Sequence, residues 1–125
     1  MAPCPHILVV DDDAALLENI AECLTGEGFE VSVARDATSA LARLALAPRP
    51  AVVIIDQQMP GMTGSELVAR IRDQPSLAGI RLVLVSGLPP TRNTGDGAGA
   101  ADAVLEKPFG VDALIGTLRA QLSAA

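Results

Sequence analysis

The stretch ILVVDDD, residues 7–13, sets the reading of the whole chain. Four consecutive apolar residues, Ile7 to Val10, break off abruptly at three aspartates. A strand with one face in water alternates apolar and polar side chains, whereas one buried on both faces is apolar throughout, as in parallel sheets covered by helices. The same pattern recurs. Ala51 to Ile55 is continuous and ends at Asp56, and Ile80 to Val85, apolar but for Arg81, ends at Ser86. Ala103 to Leu105 is a last short run that leads into Lys107. Phe29, Val31 and Val33 alternate with Glu30 and Ser32, the signature of a half-exposed strand at a sheet edge.

Helical patterns separate these runs. Asp13 can cap a helix to about Thr25, with Leu16, Ile20, Cys23 and Leu24 at helical spacing and Gly26 and Gly28 as stops. Asp36 opens a second helix carrying Ala40, Leu41 and Leu44, and Pro48 and Pro50 close it. Gly61 and Gly64 frame a turn before a helix over Ser65 to Arg72 with Leu67, Val68 and Ile71 inward. Between Gly87 and Ala101, prolines at 89 and 90 and glycines at 95, 97 and 99 predict a short or disordered fourth helix. Val111, Leu114, Leu118 and Leu122 mark the closing one. Strands alternating with helices predict an α/β, flavodoxin-like, doubly wound five-stranded parallel sheet of order 2-1-3-4-5, helices on both faces, in a single domain over residues 1–125.

Composition removes several function classes. The chain has 125 residues, 15 acidic against 9 basic side chains and a net charge of −6, a poor match for a phosphate backbone. Two phenylalanines and no tryptophan or tyrosine leave no base-stacking platform. No apolar run approaches the roughly 20 residues needed to cross a bilayer, and no Lys or Arg precedes Arg35 to form the basic start that a secretory leader needs. A cytoplasmic location without membrane or direct nucleic-acid contact is the expectation. Cys4 and Cys23 read as free structural thiols. His6 reads as a strand-entry residue rather than a phosphodonor or metal ligand, and Met59 and Met62 as local packing. The match of Gly95 to Ala100 to a dinucleotide-binding glycine pattern starts too far after the fourth strand to function as one.

In open parallel sheets, chemistry gathers at the carboxyl ends of the strands. Here those ends carry Asp11, Asp12 and Asp13, then Asp56, Ser86 and Lys107, and right-handed crossovers bring them to one rim. Converging carboxylates repel unless a cation neutralises them. Lys107 supplies one charge, and a hard divalent ion with open positions, Mg²⁺, is the natural source of the rest. An aspartate beside a metal, a hydroxyl and an ammonium has the parts for nucleophilic attack on phosphorus, with Ser86 and nearby backbone N–H groups such as that of Gly87 bonding the phosphoryl oxygens.

The strings ILVVDDD, VVIIDQQMPGMTG, LVLVSG and AVLEKPF, in this order and spacing, resemble the receiver domains of bacterial response regulators over essentially the whole chain. The resemblance implies that Asp56 accepts a phosphoryl group from a phosphohistidine on a sensor histidine kinase or histidine phosphotransfer protein. It implies Asp12 as the direct acidic ligand of Mg²⁺, Asp11 acting largely through water, the Gln58 carbonyl as a further ligand, Ser86 as phosphoryl-binding switch hydroxyl, and Lys107 as partner of the phosphoaspartate. A cis peptide between Lys107 and Pro108 goes with it. Such a domain promotes its own phosphorylation and slow hydrolysis without being a turnover enzyme. Gln57 and Gln58 are expected to tune that hydrolysis, in a direction the sequence does not give.

Val104 stands where the family often carries an aromatic switch residue. Signalling through the fourth helix, fifth strand and fifth helix is therefore expected to use ordering of the Pro89 to Gly99 segment instead. Two alternatives stay open: a receiver-like interaction module that is not phosphorylated, and a haloacid dehalogenase-type aspartyl phosphatase suggested by Asp11 and Asp13 in a D-x-D arrangement. The downstream target or attached output domain is not legible.

Overall fold

The structure is a computed structural model that describes residues 5–46, 49–59, 61–87, 101–107 and 109–124. Its elements, in chain order, are β1 (His6–Val10), α1 (Ala14–Gly26), β2 (Glu30–Ala34), α2 (Ala37–Leu44), β3 (Val52–Asp56), α3 (Gly64–Arg72), a 3-10 turn (Pro75–Leu77), β4 (Arg81–Ser86), β5 (Ala103–Glu106) and α4 (Val111–Ala124). All strand pairings are parallel and the order is β2-β1-β3-β4-β5, as expected. The fourth helix expected between β4 and β5, the Pro89 to Gly99 segment, Pro108 and Cys4 fall outside the described residues. Among those residues, no helix is long and apolar enough to cross a membrane.

Two cores explain the uninterrupted apolar strands. Leu8, Val10, Val53, Ile55, Leu82 and Leu84 point to one face, where Ala40 and Leu44 of α2 and Leu67, Val68 and Ile71 of α3 cover them. Their sequence neighbours Ile7, Val9, Val52, Ile54, Val83 and Val85 point to the other, under Leu17, Ile20 and Leu24 of α1 and Leu114 and Leu118 of α4. Alternate side chains thus enter opposite cores, and polar residues find no place until the strand ends.

Local details refine the expectation. The buried stripe of α1 is Leu17, Ile20 and Leu24; Leu16 and Cys23 flank it, lining a crevice of about 130 Å³ with Asn19, Phe109 and Val111. Cys23 is a free thiol in this apolar setting. Met59 is buried in the α2/α3 core and Met62 packs against it. Val33 does not turn inward like Phe29: it is 49 % exposed, on an edge strand, lining an open groove with Asp12, Arg35, Asp36 and Ser39. Gly28 ends the α1–β2 connection at φ +95°, a conformation that side chains resist.

Candidate functional site

Hydrogen bonds that run one step past the strands place the functional residues. Val10 pairs with Ile55 in the β1–β3 register, so the next residues along, Asp11 and Asp56, stand side by side. The Asp11 N–H donates to the Ala34 carbonyl at 3.1 Å, prolonging the β1–β2 ladder. Asp56 pairs with Val85, and the Lys107 N–H donates to the Ser86 carbonyl at 2.7 Å just beyond β5. The rim inferred from spacing is therefore one continuous edge, set by backbone register.

Asp11, Asp12 and Asp56 each offer a carboxylate oxygen, and these oxygens all lie within 4.8 Å of one another. Asp11 and Asp56 are buried while Asp12 faces solvent, which leaves the cluster open on one side. Asp13 does not join them. Its Oδ1 accepts from the N–H groups of Ala15 and Leu16 as the N-cap of α1, and its own N–H donates to Asp11 Oδ1 at 2.9 Å.

The Lys107 ammonium lies 3.0 Å from Asp56 Oδ1. That contact lacks hydrogen-bond geometry, so Oδ1 has a charged neighbour and no donor; among the described residues it is the one buried side-chain oxygen or nitrogen in that condition. Burial pushes the Asp11 carboxyl above its ordinary value, and the charges of Asp56 and Asp12 add to the push against the Asp13 N–H and Lys107. A donorless buried oxygen amid three carboxylates and one ammonium is an under-neutralised acidic site, and a hard divalent cation fits that donor set.

Ser86 is 1 % exposed at the end of β4, and Gly87 follows it at the surface. Gln58 is exposed two residues beyond Asp56. Val104 packs partly against the α2/α3 core. His6 sits at the opposite end of β1, its Nε2 2.7 Å from Ser32 Oγ and 3.2 Å from an Arg43 nitrogen, a strand-entry role far from the acidic cluster. Sequence reading missed two features near Asp56. Thr63 and Glu66 form a capping box on α3, for which T-x-x-E was the available signal. Gln57 bonds Ser65 through its side chain, which no local pattern announces.

Residues 7–119 match the family model described as the response regulator receiver domain. The chain belongs to that family. A receiver is a phosphorelay signalling unit, and the curated relatives agree: the chain is 36 % identical over 119 residues to the DNA-binding response regulator MtrA of Mycobacterium tuberculosis, covering 94 % of this chain and 50 % of that protein. This receiver thus spans about half the length of the curated relatives it matches. Among solved structures it resembles a CheY-like receiver from Methanospirillum hungatei, with a TM-score of 0.87 and 29 % identity over 97 % of this chain and 95 % of the other. It also resembles the response regulator TrrA of Thermotoga maritima, solved in complex with Mg²⁺-BeF, with a TM-score of 0.83 and 29 % identity over 94 % and 98 %.

Proposed function

We propose that Asp56 is the phosphoacceptor of this receiver, charged by a phosphohistidine on a sensor histidine kinase or histidine phosphotransfer protein in the cytoplasm. The observation that carries the reading is the donorless Asp56 Oδ1, buried between two further aspartates and the ammonium of Lys107. A nucleophilic carboxylate oxygen must be unencumbered by donors, and this one is countered only by the charge of the Lys107 ammonium.

Asp11, Asp12, Asp56 and the Gln58 carbonyl would hold Mg²⁺, as the metal in the similar TrrA complex supports. When bound, the ion supplies positive charge against the oxygens of the transferred phosphoryl group. The Asp56 oxygen forms a bond to phosphorus as the phosphorus–nitrogen bond of the donor breaks, and the electron pair returns to the imidazole. Lys107 neutralises the acyl phosphate, while the Ser86 hydroxyl and Gly87 N–H donate to its oxygens. Water later hydrolyses it. The negative charge of the chain argues against direct nucleic-acid contact by this part.

The test is incubation with a small acyl-phosphate donor and Mg²⁺, read by intact mass. The wild type should gain one phosphate-sized increment that chelation of Mg²⁺ or Asp56→Asn abolishes. An equal increment in Asp56→Asn would remove Asp56 from its role.

A further inference from the structure

Gln57 follows the acceptor, and its carbonyl and side chain bond the start of α3. Its N–H donates to the Val85 carbonyl at 2.8 Å, and its own carbonyl accepts from the Gly64 N–H at 2.9 Å. Its side-chain oxygen accepts from both the N–H and the hydroxyl of Ser65, each at 2.7 Å. The backbone N–H of Ser65 can only donate, so the amide atom facing it must be oxygen.

These bonds complete the start of α3. The first N–H groups of a helix have no partner within it. Here Gly64 and Ser65 give theirs to Gln57, and Glu66 gives its own to Thr63 Oγ1 at 3.2 Å. Ser65 is 1 % exposed, so its two donors have little recourse to water. The junction is also tight: a Cβ on Gly64 would lie 2.5 Å from the Asp56 carbonyl oxygen and 2.8 Å from Gln57 Cα. One residue thus ties the end of β3 to the first turn of α3. Both ends of the intervening 58–63 connection, which begins with the proposed metal-binding carbonyl of Gln58, depend on it.

We infer that Gln57 is a positioning residue, which sets the geometry of the acceptor loop for metal binding and phosphoryl transfer through Ser65 and Gly64, and does not tune hydrolysis by touching the phosphoryl group. The inference rests on the reading of Asp56 as acceptor. Gln57→Met keeps the length and removes the acceptor atom, Gln57→Glu keeps an acceptor in place, and Ser65→Ala removes one of the two bonds.

Mg²⁺ affinity, the rate of acyl-phosphate formation at saturating donor, amide exchange at Gly64 and Ser65, and the thermal midpoint are measured for each. Well below the midpoint, Gln57→Met should weaken Mg²⁺ binding and slow phosphorylation by about five- to tenfold, the scale of one lost buried acceptor, with faster exchange at Ser65. Ser65→Ala should fall between it and wild type, and Gln57→Glu should restore Mg²⁺ affinity and Ser65 protection. Wild-type Mg²⁺ affinity and phosphorylation in Gln57→Met, or a change confined to acyl-phosphate hydrolysis, would overturn the inference. If Gln57→Met does not fold, Ser65→Ala with wild-type values does so alone. A wild type that binds Mg²⁺ but gains no phosphate would instead defeat the acceptor reading, leaving affinity and exchange to decide the role of Gln57.

Discussion

Lys107 is the only lysine in a chain with eight arginines, and its ammonium rests 3.0 Å from Asp56 Oδ1. A compact ammonium on a flexible stem fits beside one carboxylate oxygen and an incoming phosphoryl group, whereas the planar guanidinium fork is wider and demands two parallel acceptors. Lys107→Arg should therefore keep the thermal midpoint and lower the phosphorylation rate by about tenfold, roughly 1.4 kcal/mol of transition-state stabilisation. A wild-type rate in that variant would reduce the solitary lysine to a codon preference. At this scale the sequence was informative where a side chain ends a buried strand, as Asp11, Asp56 and Ser86 do, because polarity there has no structural excuse. It was silent for Gln57, whose partner Ser65 lies on the next element and whose polarity reads locally as ordinary loop character.

Between elements, the rim is held from the far side of the sheet. Asp102 precedes β5; its N–H donates to the Leu82 carbonyl at 2.8 Å and its carboxylate accepts from the Leu82 N–H at 2.7 Å. The same carboxylate pairs with Arg72 at the end of α3 at 2.5 Å and with Arg81 at the start of β4 at 3.2 Å, and Arg72 also donates to the Ile80 carbonyl at 2.9 Å. Three elements meet on one side chain, so the β4–β5 register is pinned at this end and by Lys107 and Ser86 at the other. Burial works against the Asp102 charge, but the Leu82 N–H and the two arginines prevail and hold the carboxyl below its ordinary value.

A carboxyl depressed in the folded state stabilises the fold above its unfolded value, near 3.8, and that contribution is lost as pH falls through the folded value. Asp102→Asn should accordingly lower stability at pH 7 by up to about 1 kcal/mol in urea denaturation, solvent screening limiting the effect, with the two curves converging in strong acid. A constant gap across pH would show that the charge contributes nothing. The clamp joins residues 20 to 30 apart in sequence, so no helix or strand period could have revealed it. The same holds for Val33: the alternation that correctly marked β2 as an edge strand carries no record of whether a helix extends over its penultimate residue.

For the molecule as a whole, the order β2-β1-β3-β4-β5 and the two cores were legible because a covered parallel sheet leaves uninterrupted apolar runs, and the crossover rule then places all their carboxyl ends together. What turns the rim into a site is register at the last residue of β3 and β4 and one residue past β1 and β5, and that came only from the pairing itself. On the function proposed, the rim directs a phosphoryl group to Asp56 and to no neighbouring carboxylate. Borohydride reduces an acyl phosphate to an alcohol, so reduction after phosphorylation with Mg²⁺ marks the acceptor permanently. Peptide sequencing of the reduced protein should find homoserine at position 56 with Asp11, Asp12 and Asp13 intact. Homoserine at position 11, the outcome that an aspartyl phosphatase would give, or at no position despite bound Mg²⁺, would contradict the account.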